Sequence, residues 1–212
     1  MGNSEGEYRD FAVLYRTNAQ SRMFEEKLVL LGIPYKIVGG VNFYARKEIK
    51  DLLAYLKTID NGQDDLAVRR IINIPRRGIG IATINRVQEY AAAREISFYE
   101  ALRCADLIPN IGRSLSKLES FAALIEHLKA ELEQISLVEL LNEVIEETGY
   151  VKELQEEGTE EAEARIENID ELMNKVIAYE EGCGEEKATL GGFLEEVALV
   201  ADIDSLDENS DY

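Results

Sequence analysis

Apolar positions along most of this chain recur every third or fourth residue, the spacing that collects them on one face of an α-helix. From Tyr44 onward the pattern predicts helices throughout. Over residues 48–59, Ile49, Leu52, Leu53, Leu56 and Ile59 share a face. Asp64-Asp65 opens a helix bearing Leu66, Val68, Ile71 and Ile72, and Pro75 with the Gly78-Ile79-Gly80 turn interrupts it. The next helix is expected from about Thr83 to Arg94. Ser97 caps a short helix, and residues 114–134 form a long amphipathic one. Ser136-Leu-Val-Glu139 has the form of a capping box, opening a helix that stops at Gly149. Further helices are expected near 150–157, 160–181 and 189–200. The tail, residues 202–212, is acidic and poor in apolar positions, so it is expected to be disordered.

The first 40 residues follow another rhythm. Residues 11–16 are a short apolar run suited to a buried strand. Residues 18–31 carry Met23, Phe24, Leu28 and Leu31 at helical spacing, with Gly32 as the stop, and residues 34–38 read as a second strand closed by Gly39-Gly40. Strand, helix, strand within about 30 residues is a βαβ unit. Two parallel strands make no stable sheet by themselves, and nothing after Gly40 reads as another strand. The expected fold class is therefore mainly α, an all-helical domain preceded by a partial α/β (βαβ) piece.

Charge changes this picture. The 212 residues carry a formal net charge of −19, a sign that repels a phosphate-rich partner. The charge is unevenly spread. Residues 131–212 hold 26 acidic against 4 basic side chains, whereas residues 1–130 hold 16 against 19. Between Leu66 and Arg94 lie six arginines (69, 70, 76, 77, 86 and 94) and one acid, Glu89. Screening over about 8 Å at physiological salt lets such a patch act apart from a distant acidic face. The charge pattern thus permits nucleic-acid contact in the first half and disfavours it in the second.

Catalytic chemistry finds little support. No G-x-x-x-x-G-K-[ST] phosphate loop and no nucleophile elbow occur. Cys104 and Cys183 lie far apart, and the single His127 allows no zinc cluster. The Glu-Glu pairs of the second half fall on polar helix faces and read as solvated surface. No stretch approaches the roughly 20 apolar residues of a membrane span, and a cytoplasmic location without membrane contact is expected.

Three segments point to binding. Arg16-Thr-Asn18-Ala-Gln-Ser-Arg22 leaves the expected first strand and enters a helix, where strand ends and free helix amides suit an anion. A polar loop in which Asn18 merely caps the helix accounts for it equally. Ile74-Pro-Arg-Arg-Gly-Ile-Gly-Ile-Ala-Thr83 resembles a helix-hairpin-helix turn. Its glycines would let the backbone approach a phosphate, with Arg76, Arg77 and Arg86 supplying charge. Phe43-Tyr-Ala-Arg46-Lys47-Glu-Ile-Lys-Asp51 is the third, for which a core anchor at Phe43 and a Lys47–Asp51 surface pair are the plain alternative.

Taken in order, these segments resemble the late region of UvrD/PcrA-type superfamily-1 DNA helicases. The match runs through Ala12-Val-Leu-Tyr-Arg-Thr-Asn-Ala-Gln-Ser-Arg22, Gly32-Ile-Pro-Tyr, Arg46-Lys-Glu-Ile-Lys-Asp-Leu-Leu-Ala-Tyr-Leu56 and Pro75-Arg-Arg-Gly-Ile-Gly80. The resemblance implies a RecA-like subdomain, 2A, interrupted by an all-helical insertion, 2B. Residues 1–44 would belong to 2A, residues 45–205 to 2B, and residues 206–212 to an acidic tail. It implies that Arg16 and Asn18 touch single-stranded DNA, that Phe43, Arg46 and Lys47 border its path, and that Arg77, Gly78, Ile79, Gly80 and Thr83 contact duplex. ATP and Mg would serve 3′→5′ translocation in the longer parent protein, with no cofactor and no catalysis in this stretch. DNA and the remainder of the helicase are the expected partners. The alternative is an acidic helical module that docks a repair or transcription protein.

Overall fold

The structure, a computed structural model, describes residues 8–15, 18–35, 43–184 and 187–208. Its helices in chain order are α1 (Asn18–Leu30), α2 (Lys47–Asp60), α3 (Asp65–Ile71), α4 (Ile81–Arg94), α5 (Phe98–Arg103), α6 (Leu115–Glu131), α7 (Leu137–Thr148), α8 (Tyr150–Glu157), α9 (Glu160–Cys183) and α10 (Leu190–Glu208). Short 3-10 turns precede α1, α2 and α6 and follow α5.

Helix α2 is the axis of the fold. It packs against α3, α6, α7, α9 and α10, so even polar members of it are buried, among them Glu48, Asp51 and Thr58. Polar groups buried on such a helix must be satisfied internally. Thr58 donates to the Ala54 carbonyl at 2.8 Å. Asp51 accepts from Arg70 Nε on α3 at 2.6 Å and from the Tyr150 hydroxyl on α8 at 2.8 Å. The apolar core is one contiguous cluster from Phe43 to Val197.

Helix starts follow local chemistry. Asp64 Oδ1 accepts from the amides of Leu66 and Ala67, each at 3.0 Å. Ser97 with Glu100 and Ser136 with Glu139 both form complete capping boxes, opening α5 and α7. Gly149, at φ +71°, closes α7 in the left-handed conformation and admits α8 directly after it.

Three expectations are corrected here. Among the described residues there is no strand. Phe11, Val13 and Leu14 are exposed in an irregular stretch, because a strand needs a hydrogen-bonded neighbour and the described residues supply none. Of the two βαβ strands, residues 16 and 36–38 lie outside the described residues. Second, the backbone of the tail is helical as far as Glu208. Once α10 is nucleated, each added residue gains a hydrogen bond, and acidic composition alone does not stop it. Third, the Lys47–Asp51 surface pair is absent. Asp51 turns inward to Arg70 and Tyr150, because a fully buried carboxylate left without partners would be strongly destabilising.

The N-terminal helix is tied to this body by its buried side. Ser21 and Glu25 of α1 are buried, and α1 packs on α9 and on the Phe43–Ala45 turn. Arg46 bridges the elements, donating to Ser21 Oγ at 2.9 Å and to Asn168 Oδ1 on α9 at 2.7 Å. Asn168 in turn donates to Glu48 at 2.6 Å.

Candidate nucleic-acid interface

The segment between α3 and α4 is held far more tightly than an ordinary connection. Asn73 organises it, its Oδ1 accepting from the backbone amides of Arg77 at 2.9 Å and Ile79 at 3.0 Å. The Tyr55 hydroxyl, from α2, donates to the Ile74 carbonyl. Arg77 folds back over the loop, with Nη1 donating to the carbonyls of Ile71 at 2.9 Å and Ile74 at 3.0 Å. Its other amine meets the Tyr55 hydroxyl, and its guanidinium lies 5.2 Å from the centre of the Phe121 ring. Burial pushes the Tyr55 hydroxyl up to about 12, the Arg77 guanidinium working against that shift. The hydroxyl therefore remains a donor at neutral pH.

Helix α6 braces the turn from the other side. Lys117 Nζ donates to the Gly78 carbonyl at 2.8 Å, and Ser114 Oγ lies 3.0 Å from Thr83 Oγ1. Gly78 has φ +68°, and a Cβ there would lie 2.8 Å from Lys117 Nζ. The positive φ is what calls for glycine here, and a side chain would in addition displace the end of Lys117. Gly80 differs: its φ is −80° and a Cβ would meet nothing within 4 Å. Neither the backbone nor the packing of this chain demands a glycine at position 80.

Gly80 opens α4 without a side-chain cap. Its carbonyl accepts from Thr83 and Ile84 at 3.0 and 3.2 Å. The amides of Gly80, Ile81 and Ala82 have no acceptor among the described residues, and all three residues are exposed. Such amides carry the positive end of the helix dipole. Arg76 and Arg86 are exposed nearby in sequence, Arg86 one helical turn beyond Ala82 on the same face. Arg113, preceding Ser114, is exposed as well. None of these three arginines has a protein partner among the described residues.

The residues named from sequence separate into groups. Arg76, Gly78, Gly80 and Arg86 are all exposed, within eleven positions of one another along the chain. Ile79 is buried at 2% exposure, and its amide is used by Asn73, so it anchors the turn. Thr83 is buried at 6% exposure, its hydroxyl against Ser114. Arg77 is consumed by the loop's own carbonyls. Lys47 is exposed at the start of α2. Phe43 and Arg46, expected beside a DNA strand, are inside: Phe43 is fully buried and Arg46 is 7% exposed, its guanidinium 5.2 Å from the Phe43 ring. Burial leaves no face on Phe43 for a base to stack on. Arg16 and the side chain of Asn18 lie outside the described residues. Sequence reasoning missed Asn73, Arg113 and Lys117. Asn73 sits two residues before a proline in a turn, a recognisable scaffolding position. Lys117 and Arg113 arrive from more than 30 residues downstream, and no local signal announces them.

Among the described residues no cluster of His, Cys, Asp or Glu could hold a metal ion, and no helix is long and apolar enough to cross a membrane. The UvrD-like helicase C-terminal domain matches residues 2–211. The ATP-dependent DNA helicase PcrA of Bacillus subtilis (strain 168) is 43% identical over 202 residues, covering 95% of this chain and 27% of that protein. The PcrA helicase of Staphylococcus aureus (strain Mu50) is 45% identical over 200 residues, covering 94% of this chain and 27% of the relative. This chain spans about a quarter of the length of the curated relatives it matches. With a family match over nearly its whole length, the chain belongs to the UvrD-like helicase C-terminal domain family.

Proposed function

We propose that this chain is the duplex-contacting, accessory part of an ATP-dependent 3′→5′ DNA helicase serving DNA repair or replication. ATP and Mg act elsewhere in the longer protein. On this reading residues 1–44 contribute to a RecA-like 2A subdomain, and residues 45–205 form the 2B insertion. The α3–turn–α4 element acts as a helix-hairpin-helix. The observation that carries the reading is the turn itself: a rigid loop presenting three open amides at the start of α4, between Arg76 and Arg86. Backbone amides and arginines bind phosphate without reading bases, so sequence-independent binding is expected. The net charge opposes binding at long range, but the turn carries its own positive field.

A 2A contact with single-stranded DNA at Arg16 and Asn18 remains part of the reading, and Lys47 is exposed at the start of α2. Phe43 and Arg46 serve it by holding α1 against α9. A second reading, docking of a basic repair or transcription protein, is favoured by the exposed acids on α8 and at the start of α9, where Glu160, Glu161 and Glu163 share the first turn.

Titration of a fluorescent duplex at several salt concentrations tests the main reading. Each phosphate neutralised contributes a slope of about −0.9 in log affinity against log salt. The Arg76→Gln/Arg86→Gln double variant should flatten the slope by about 2. An unchanged slope would overturn the assignment of duplex contact to this turn.

A further inference from the structure

We propose that the cleft where α2, α6, α7, α9 and α10 meet receives a basic segment of a protein partner, a lysine or arginine side chain carried beside an aliphatic one. This rests on the reading of the acidic half as a docking surface, and it places the contact in a shaped site apart from the acids of α8 and the start of α9.

The cleft has a volume of about 590 Å³, within the size range of pockets that hold ligand groups. Its floor is aliphatic. Leu132 and Ile135, from the turn between α6 and α7, and Ala188, from the turn between α9 and α10, line it and are half-buried. Apolar groups left half in water gain from a partner that covers them. Three carboxylates, Asp60, Glu133 and Glu180, line the same cleft against one cation, Lys187. Lys187 is directed at the Glu133 carbonyl, at 3.3 Å, and makes no ion pair with a carboxylate among the described residues.

The helix ends set the sign of the site. Asp60 is the last residue of α2, Glu180 lies in the last turn of α9, and Glu133 follows the end of α6. Each carboxylate therefore adds to the negative end of a helix dipole, a placement that a nearby cation relieves. The two helix starts at the cleft already hold internal acceptors. The Leu137 amide, first in α7, donates to Glu180 Oε1 at 2.5 Å, and Thr189 Oγ1 accepts from the Gly192 amide at 3.2 Å at the start of α10. Negative charge above an aliphatic floor matches the two parts of a lysine or arginine side chain, a charged head on an apolar stem. Complementarity of this kind selects the partner.

The test titrates the 212-residue chain with a fluorescein-labelled peptide of alternating lysine and leucine, and with a counterpart in which glutamine replaces lysine. Three variants are compared, each checked for folding by far-UV circular dichroism. Asp60→Asn/Glu133→Gln/Glu180→Gln removes the charge of the cleft and keeps an acceptor for the Leu137 amide. Ala188→Phe fills the cleft from a turn position without changing charge. Glu160→Gln/Glu161→Gln/Glu163→Gln removes as many charges at the start of α9. Each carboxylate lost from the cleft should weaken binding of the lysine peptide about twofold, and the three together about tenfold. Ala188→Phe should also weaken it, while the α9 variant should stay within about twofold because salt screens charges beyond about 8 Å. Unchanged affinity in either cleft variant overturns the inference. If the α9 variant alone weakens binding, the cleft fails and docking on the α8–α9 acids stands. If the lysine peptide binds no more tightly than its glutamine counterpart, the acidic docking reading fails as well.

Discussion

Arg76 and Arg77 are adjacent, identical in type and opposite in use, which makes their comparison a sharp test of the structure. Replacing Arg77 with alanine removes two charge-assisted bonds, to the Ile71 and Ile74 carbonyls, together with the contacts to Tyr55 and Phe121. The carbonyls are not left bare: Ile71 still accepts from the Ile74 amide, and Ile74 from the Tyr55 hydroxyl. Each lost bond then belongs at the lower end of the charged range, about 1.5 kcal/mol, and the ring contact adds about 0.5–1 kcal/mol. The sum is about 3–4 kcal/mol, or roughly 10 °C in Tm for a chain of this size. Arg76→Ala, at an exposed position without a protein partner, should stay within about 0.5 kcal/mol. Urea unfolding followed by circular dichroism measures both. DNA titration should give the reverse order for direct effects, with Arg76→Ala weakening duplex binding in a salt-dependent way while remaining fully folded. Equal stability of Arg77→Ala and the unmodified chain would refute the account of the turn as fastened from within.

The two glycines of the turn should separate in the same manner. Gly78→Ala forces a side chain into φ +68° against Lys117 and should cost about 1–2 kcal/mol. Gly80→Ala meets nothing within 4 Å and should leave Tm unchanged or slightly raised, and if the turn contacts duplex as proposed it should lower duplex affinity. Asp51→Ala leaves the buried Tyr150 hydroxyl without its acceptor and removes the partner of the half-buried Arg70, and should cost about 2–3 kcal/mol in denaturant titration. Alkaline pH offers a further check. The Tyr55 hydroxyl has a folded-state value of about 12 against 10.0 for the free group, so its contribution is complete below pH 10 and is lost as pH rises toward 12. That contribution is about 2–3 kcal/mol by linkage. Tyr55→Phe should show a shallower loss of stability over that pH interval, and parallel curves for the two proteins would argue against a buried, protonated hydroxyl at this position.

Local pattern alone determined much of this protein. Helical spacing and caps such as Asp64, Ser97, Ser136 and Gly149 act within a few residues of themselves, so α2 to α9 could be read with only small shifts at their ends. The Gly78-Ile79-Gly80 turn was legible for the same reason, as was the uneven distribution of charge. What local pattern could not decide was which way each charged side chain faces. Arg46, Arg70, Arg76 and Arg77 look alike in sequence, yet tertiary contacts bury the first against Asn168, pair the second with Asp51, leave the third in water and fold the fourth onto its own loop. The strand-like stretch at 11–15 failed as a strand because pairing is a long-range property that no run of apolar residues contains. Lys117 is the clearest case. Its place beside Gly78 exists only because α6 packs back across the turn, and a hydrogen bond depends on distance in space, not along the chain.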